Sequence, residues 1–332
     1  MSKLRLSMVC GDYDITRALL DGTVMPDGID WAPLSLSAPE RHWRMMRHEE
    51  FDVSEFSFSS YLLAREMGKP YIAIPAWPHR RFRHSYVFYR EGSGIKEPAD
   101  LSGRRVGLDT LQNTAGLWMR GILHDHYGVD LKQIHWFTES EEDIPFDPPR
   151  ELRVERIAQG RDVDSMLLNG ELDAALFPEP PASFKKGSPL IKRLFENFKE
   201  EEMQYYRKTK IFPIMHTVVI KENILAQHPW VAMNVLKAFR QSLEISYARA
   251  KNPRRSTLIW AQMFLEEQER FMGEDPWKFN FRDNVHAIKT AIRYAYDTGM
   301  IKAKPLPQDL FFRSTVEEAD HFIENEAQPK AA

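Results

Sequence analysis

The sequence predicts an α/β protein of two lobes, and three observations carry that prediction. Short apolar runs alternate with helical stretches over residues 4–89, and the alternation restarts near Leu101. After Pro229 the pattern changes to long stretches with apolar residues every three or four positions. The 332 residues, 38.8 kDa, exceed one core of about 250–300 residues and fall short of three domains.

Leu4–Cys10 alternates apolar and polar side chains, as a strand with one buried face does. The polar turn Asp12-Tyr-Asp-Ile-Thr-Arg17 offers several helix caps before Ala18-Leu-Leu20. Met25-Pro-Asp-Gly28 is a turn, residues 29–36 a second strand, and residues 39–48 a helix by composition. Phe51-Asp-Val-Ser-Glu-Phe56 reads as a short strand, after which Ser57-Phe-Ser-Ser60 caps a helix reaching Met67. Residues 71–76 and 85–89 are further strands, so the first lobe carries a largely parallel sheet. In the second unit, residues 102–108 give a turn and strand, and Gln112-Asn-Thr114 opens a helix over 115–126. The acidic, proline-rich stretch 139–149 reads as a surface loop. Residues 162–169 form a helix and 173–177 a buried strand, which Pro178-Glu-Pro-Pro181 ends. Residues 211–221 are an apolar strand interrupted by Pro213, His216 and Thr217. Leu236, Phe239, Leu243 and Tyr247 make one apolar helix face. Residues 253–270 and 284–298 behave alike, and the Met and aromatic residues of these helices are expected in the core. The polar tail 324–332 is expected to fray.

Lys+Arg number 45 and Asp+Glu 48, a formal net charge of −3 that excludes global attraction to nucleic acid or membrane. The single cysteine, Cys10, excludes an internal disulfide and a cysteine-cluster metal site. No apolar run approaches the ~18 residues of a membrane helix. The N-terminal apolar stretch is short and broken by Ser7, unlike a secretory signal, so a cytoplasmic protein is expected. H-E-x-x-H, P-loop, G-x-G-x-x-G and glycine-flanked nucleophile motifs are absent, leaving zinc-protease, NTPase, dinucleotide and serine-hydrolase readings unsupported.

In open α/β sheets ligands bind beyond the carboxyl ends of strands, near helix N-termini. That rule selects Asp12, Tyr13, Asp14, Thr16 and Arg17 after the first strand, and Glu55, Ser57, Ser59 and Ser60 at the Phe51 strand. It also selects Gln112, Asn113 and Thr114 after the Val106 strand, and Glu179 after the Ala174 strand. Pro78-His-Arg-Arg-Phe-Arg-His84 packs three arginines and two histidines into seven positions. A guanidinium grips a carboxylate through two parallel hydrogen bonds, so Arg81 and Arg83 with His84 suit a di-anionic ligand. The competing reading is a solvated basic loop. His216 is either a satisfied core histidine or a functional group, and Tyr205-Tyr-Arg207 leaves the same choice open. His42, His48, His124 and His126 fall on helical segments. The spacing of the last pair places them on different faces, poor for joint metal binding.

Seven blocks carry a further signal. They are Asp12-Tyr-Asp-Ile-Thr-Arg-Ala-Leu19, Phe51-Asp-Val-Ser-Glu-Phe-Ser-Phe-Ser-Ser-Tyr61, Arg81-Phe-Arg-His-Ser85, Thr114-Ala-Gly-Leu-Trp-Met-Arg-Gly-Ile-Leu123, Tyr206, Phe212-Pro-Ile-Met-His-Thr-Val-Val219 and Met272-Gly-Glu-Asp275. In this order, within a stretch from Leu4 to about Phe312, they resemble the 4,5-dihydroxyphthalate decarboxylase family. That family is similar to type 2 periplasmic binding proteins. The sequence departs at Gly11 and Ile15, where bulkier or basic residues are expected. The resemblance implies two α/β lobes around a central cleft, with C-terminal helices. Lobe 1 would combine residues 1–100 with 215–332, and lobe 2 would be the insert 101–214.

The implied activity is loss of one carboxylate from a dihydroxylated aromatic diacid, giving protocatechuate and carbon dioxide. Each carboxyl-bearing carbon of 4,5-dihydroxyphthalate is para to a hydroxyl. Ionising that hydroxyl pushes electron density onto the carbon that takes a proton before carbon dioxide leaves. Arg81 and Arg83 suit the carboxylate clamp, helped by helix N-termini at Ser57 and Thr114. His84 or His216 suits the proton donor, and Glu55, Asp14 or Glu179 the phenol-proton acceptor. The expected catalytic residues are therefore His84, His216 and Glu55. Arg81, Arg83, Tyr13, Asp14, Arg17, Ser57, Ser59, Thr114, Trp118 and Glu179 are expected to bind substrate. Neither cofactor nor metal is expected; the partner is a small aromatic carboxylate, without nucleic acid or membrane, and a homo-oligomer stays open. Two other readings stand beside this one. One is a solute-binding protein delivering an aromatic or carboxylated ligand to an ABC-type transporter; the other is an enzyme of the same fold with another substrate.

Overall fold

The computed structural model describes residues 3–317, so the tail 324–332 lies outside the described residues. Eleven strands occur among the described residues: β1 (Leu4–Cys10), β2 (Ile29–Ser35), β3 (Val53–Ser57), β4 (Tyr71–Ile74), β5 (Val87–Arg90), β6 (Arg105–Leu108), β7 (His135–Thr138), β8 (Arg153–Arg156), β9 (Ala174–Leu176), β10 (Ile191–Arg193) and β11 (His216–Lys221). They form two sheets, ordered β2-β1-β3-β11-β4 and β10-β5-β9-β6-β7-β8. Each sheet is parallel on one side, as the strand–helix alternation predicts, and antiparallel where a strand arrives from the other sheet. β11 runs against β3 and β4, and β5 against β9 and β10. A chain that crosses and returns enters its new sheet in reverse, which local periodicity does not reveal.

β5 therefore hydrogen-bonds into the second sheet although it precedes residue 100. The expected strand at 85–89 starts later, because His84–Tyr86 is a single 3-10 turn. The apolar run 211–221 is a strand only from His216; Pro213 lacks the N–H a ladder needs, and Ile214 keeps one isolated bridge to Arg80. The two inter-sheet connections therefore lie side by side. His79 O accepts from the N–H groups of Met215 and His216, and Pro213 O accepts from Arg81.

Helices close the faces. Helix Trp230–Ala250 buries Leu236, Phe239 and Leu243 of the face its spacing predicts, while Tyr247 is half-buried and donates its hydroxyl to Asp275 at 2.8 Å. Helix Val285–Asp297 packs on helices Phe58–Glu66 and Thr114–Tyr127. Gly121 permits that approach, because a Cβ there would overlap the Tyr294 ring. One expectation fails: Trp260, Met263 and Phe264 are exposed, and helix Ala261–Met272 buries no residue fully. Its periodicity is genuine, but only Phe271 meets a ring, that of Tyr206. Among the described residues no helix is long and apolar enough to cross a membrane.

Candidate active site

Strand pairing builds the centre of the site. Antiparallel register sets His216 opposite Ser57, with Glu55 two residues along β3, so all three project from one face. Glu55 is fully buried, and its Oε1 accepts from Nδ1 of His216, from Arg41 at 2.6 Å and from the Tyr13 hydroxyl at 3.1 Å. Its Oε2 accepts the Gly11 N–H at 2.7 Å. Burial alone would protonate this carboxyl. The Arg41 charge and the His216 and Gly11 donors overcome it and hold the group well below the usual carboxylate range. Gly11 is required here, since a Cβ would overlap the Tyr13 ring that folds back to reach Glu55.

With Nδ1 donating to Glu55, His216 presents Nε2 as its remaining ring nitrogen, and the residue lines a cleft of about 910 Å³. Burial lowers its proton affinity, Glu55 raises it, and the net direction is down. The His42 and His79 rings contact it edge-on, at 4.9 and 4.8 Å between centroids. Both line the cleft, and each keeps one buried ring nitrogen, Nε2 of His42 and Nδ1 of His79, without a partner. Burial pushes His79 down to about 2 and His42 well below its ordinary value.

The cleft wall beside these rings is basic. Arg83 is 2% exposed, and its guanidinium meets the Met215 sulfur, at 2.8 and 3.1 Å, the Pro178 carbonyl, at 3.0 Å, and the face of the Tyr86 ring, 5.1 Å from its centroid. Burial, then Arg81, brings it down to about 9, so it stays charged at neutral pH without a carboxylate partner. Arg80 is tied to the Trp277 and Phe212 carbonyls, and the half-exposed Arg81 to Tyr86 and Glu179. Another part of the lining is acidic. Asp109 and Asp143 line the cleft, and neither side chain makes a hydrogen bond or ion pair with a described residue. Burial, then the Asp109 charge, raises Asp143. The loop expected merely to cover the surface thus reaches inward; its Glu142 accepts the N–H groups of Leu111 and Gln112. Two helix N-termini also meet at the lining, where the Thr114 hydroxyl bonds those of Ser57, at 2.8 Å, and Ser59, at 2.7 Å.

No protein-family model matches the chain. It is 34% identical over 326 residues to the 4,5-dihydroxyphthalate decarboxylase of Comamonas testosteroni, covering 96% of this chain and 99% of that protein. The chain belongs to the 4,5-dihydroxyphthalate decarboxylase family. The like-named protein of Pseudomonas putida is 35% identical over 214 residues, 62% of this chain and 83% of that one. Among solved structures, the periplasmic aliphatic sulphonate binding protein SsuA from Escherichia coli superposes with a TM-score of 0.57 at 12% identity, covering 95% of this chain and 99% of that chain. The desulfurization enzyme DSZB does so at 0.54 and 12%, covering 98% and 100%. This decarboxylase-family chain therefore has the type 2 periplasmic-binding-protein-like fold, which serves both binders and an enzyme.

Of the residues singled out by sequence, Tyr13, Asp14, Ser57, Arg81, Arg83, Thr114, Glu179 and His216 line the cleft, with Glu55 directly behind His216. Four lie elsewhere. His84 sits in a box of Phe195, Tyr205 and Tyr127, both ring nitrogens unpartnered, pushed down to about 4 by burial and then His126. Arg17 is exposed and pairs with Asp12. Trp118 is buried behind the cleft, its indole N–H on the Ile214 carbonyl at 2.8 Å. Ser59 is consumed by Thr114 and the Gln112 carbonyl. Sequence reasoning missed Arg41, His42, His79, Asp109 and Asp143. The signal available for Arg41 and His42 was their place on one helix, where charged residues normally face water.

Proposed function

We propose that this chain removes one carboxylate from 4,5-dihydroxyphthalate, giving protocatechuate and carbon dioxide, in the cleft between its two sheets. Each sheet would anchor one lobe, the first carrying the C-terminal helices and the second inserted between β4 and β11. The carrying observation is Arg83, a buried cation at the cleft that no carboxylate of the described residues bonds, Glu179 and Glu202 acting on it only from a distance. Burying a charge is costly unless it is paired, so this wall favours an anionic ligand. The substrate has its carboxylates on one edge of the ring and its hydroxyls on the other, and the lining supplies partners for both, Arg81 and Arg83 for the first and Asp109 and Asp143 for the second.

In this reading Arg83 and Arg81 take the carboxylate edge, and the N-terminus of helix Thr114–Tyr127 helps. Asp143, its proton affinity raised by burial and Asp109, accepts the phenol proton. The electron pair moves through the ring to the para carbon, which takes a proton from Nε2 of His216. The bond to the carboxylate breaks, its pair returns to the ring and carbon dioxide leaves; Asp143 then returns its proton to the phenolate oxygen, and solvent reprotonates His216. Glu55 does not touch substrate; it holds the His216 ring and balances the imidazolium that a bound di-anion favours. His84, Arg17, Trp118 and Ser59 have no part in this set.

The test is incubation of purified protein with 4,5-dihydroxyphthalate, following protocatechuate by absorbance and carbon dioxide directly. Catalytic turnover is expected. Tight saturable binding without turnover would overturn the enzyme reading and favour a solute-binding protein.

A further inference from the structure

Arg41 does not line the cleft, yet it touches the same oxygen as the catalytic histidine. Its Nη2 donates to Oε1 of Glu55 at 2.6 Å and to the Tyr13 hydroxyl at 2.9 Å, and its Nη1 to the Leu36 carbonyl at 2.8 Å. Nδ1 of His216 reaches that same Oε1. The Arg41 and Glu55 side chains are 1% and 0% exposed, so little water screens either from the other or from the imidazole. We propose that Arg41 is a positioning residue that sets the proton affinity of His216 through the shared Glu55 oxygen, a role whose catalytic consequence rests on the decarboxylase reading.

The physical argument is one of charge balance. With the guanidinium in place Glu55 is already neutralised, and His216 can stay neutral with Nδ1–H on the carboxylate. Without that charge, the buried carboxylate has only His216 to balance it, and an unpaired buried carboxylate is strongly disfavoured. The imidazolium would then be held more tightly. Arg41 thus keeps His216 a stronger acid than Glu55 alone would leave it. A stronger acid delivers its proton to a ring carbon more readily, provided the charge of the bound di-anion draws a solvent proton onto Nε2. The titratable and charged groups around His216 are Glu55 on β3, Arg41 and His42 on helix Ala38–His48, Tyr13 after β1, and His79 and Arg83 on the crossing segment. Of the cations in that set, only Arg41 bonds Glu55 directly.

Two neutral variants, Arg41→Gln and Arg41→Met, remove the charge, and Arg41→Lys keeps it. Two neutral forms guard against one failing to fold, which thermal unfolding checks. Histidine-selective isotope labelling and NMR would follow the His216 ring against pH in ligand-free protein. The neutral variants should titrate higher than wild type by about one pH unit or more, with Arg41→Lys close to wild type. The alkaline limb of kcat should move upward in the same variants while its plateau falls several-fold. A merely structural role would lower the plateau without moving the limb. An unshifted His216 titration in a folded neutral variant overturns the proposal. Should wild type prove inactive while the NMR shift appears, the decarboxylase reading falls and the coupling of Arg41 to His216 stands.

Discussion

Replacing Arg83 by methionine should weaken substrate binding without weakening the fold. In the free protein the guanidinium is held down from its ordinary 12.5 to about 9, a penalty on the charged form on the order of 5 kcal/mol. Against this stand one neutral carbonyl, that of Pro178, a thioether that accepts weakly, and the face of the Tyr86 ring. Losing the guanidinium leaves the carbonyl short of one donor, about 1–3 kcal/mol, and removes the larger burial penalty. Methionine fills similar volume, so the variant should lie between neutral and about 3 kcal/mol more stable in urea unfolding. Binding should move the other way. A charge-assisted hydrogen bond to the substrate carboxylate is worth about 1.5–3 kcal/mol, so KM should rise about 10- to 150-fold. Calorimetric titration with phthalate, which keeps both carboxylates and lacks the hydroxyls, isolates that half of recognition. Unchanged affinity together with a stability loss above about 2 kcal/mol would refute the reasoning and make Arg83 a scaffold residue.

Substituting His216 by glutamine should cut kcat by at least the ~10²-fold of a lost general acid, while the dissociation constant for phthalate changes little. Changing His84 to phenylalanine should leave kcat within about twofold of wild type and hold or raise the melting temperature, because both ring nitrogens are buried unpartnered. Changing Asp143 to asparagine should lower kcat on 4,5-dihydroxyphthalate far more than it lowers phthalate affinity, which steady-state kinetics and calorimetry separate. Stability should fall as pH drops below about 6.5, the ordinary histidine value. The folded protein refuses protons on His79 down to about 2 and on His84 down to about 4, and His42 and His216 shift the same way. The unfolded chain accepts them, so each such proton costs about 1.4 kcal/mol per pH unit inside its window, readable from urea midpoints.

What the sequence made legible, and what it hid, divides along chain distance. β1, β3 and β6 show in hydrophobic patterning because each is read within a few residues. β7, β8 and β10 do not, being short and carrying the half-buried His135 and the exposed Arg153 and Lys192. The Glu55–His216 pair joins residues 161 positions apart, and only the β3–β11 register brings them to one face; a shift of one residue would send His216 to the other. The Arg81–His84 cluster divides for a related reason, Arg81 and Arg83 lining the cleft and His84 lying outside it. Adjacency along the chain suggested one shared ligand, but the 3-10 turn at His84 sends Arg83 to Met215 and His84 into an aromatic box. Meanwhile His79, passed over in the same string, lies against His216 because the two crossing segments bond backbone to backbone. A net charge of −3 conceals the result. Both connections between the sheets run through the cleft wall, one bringing His79 and Arg83 and the other Met215 and His216. A change in the angle between the sheets would be felt in this wall, because Arg83 bonds both Pro178, which follows β9 of the second sheet, and Met215, which precedes β11 of the first.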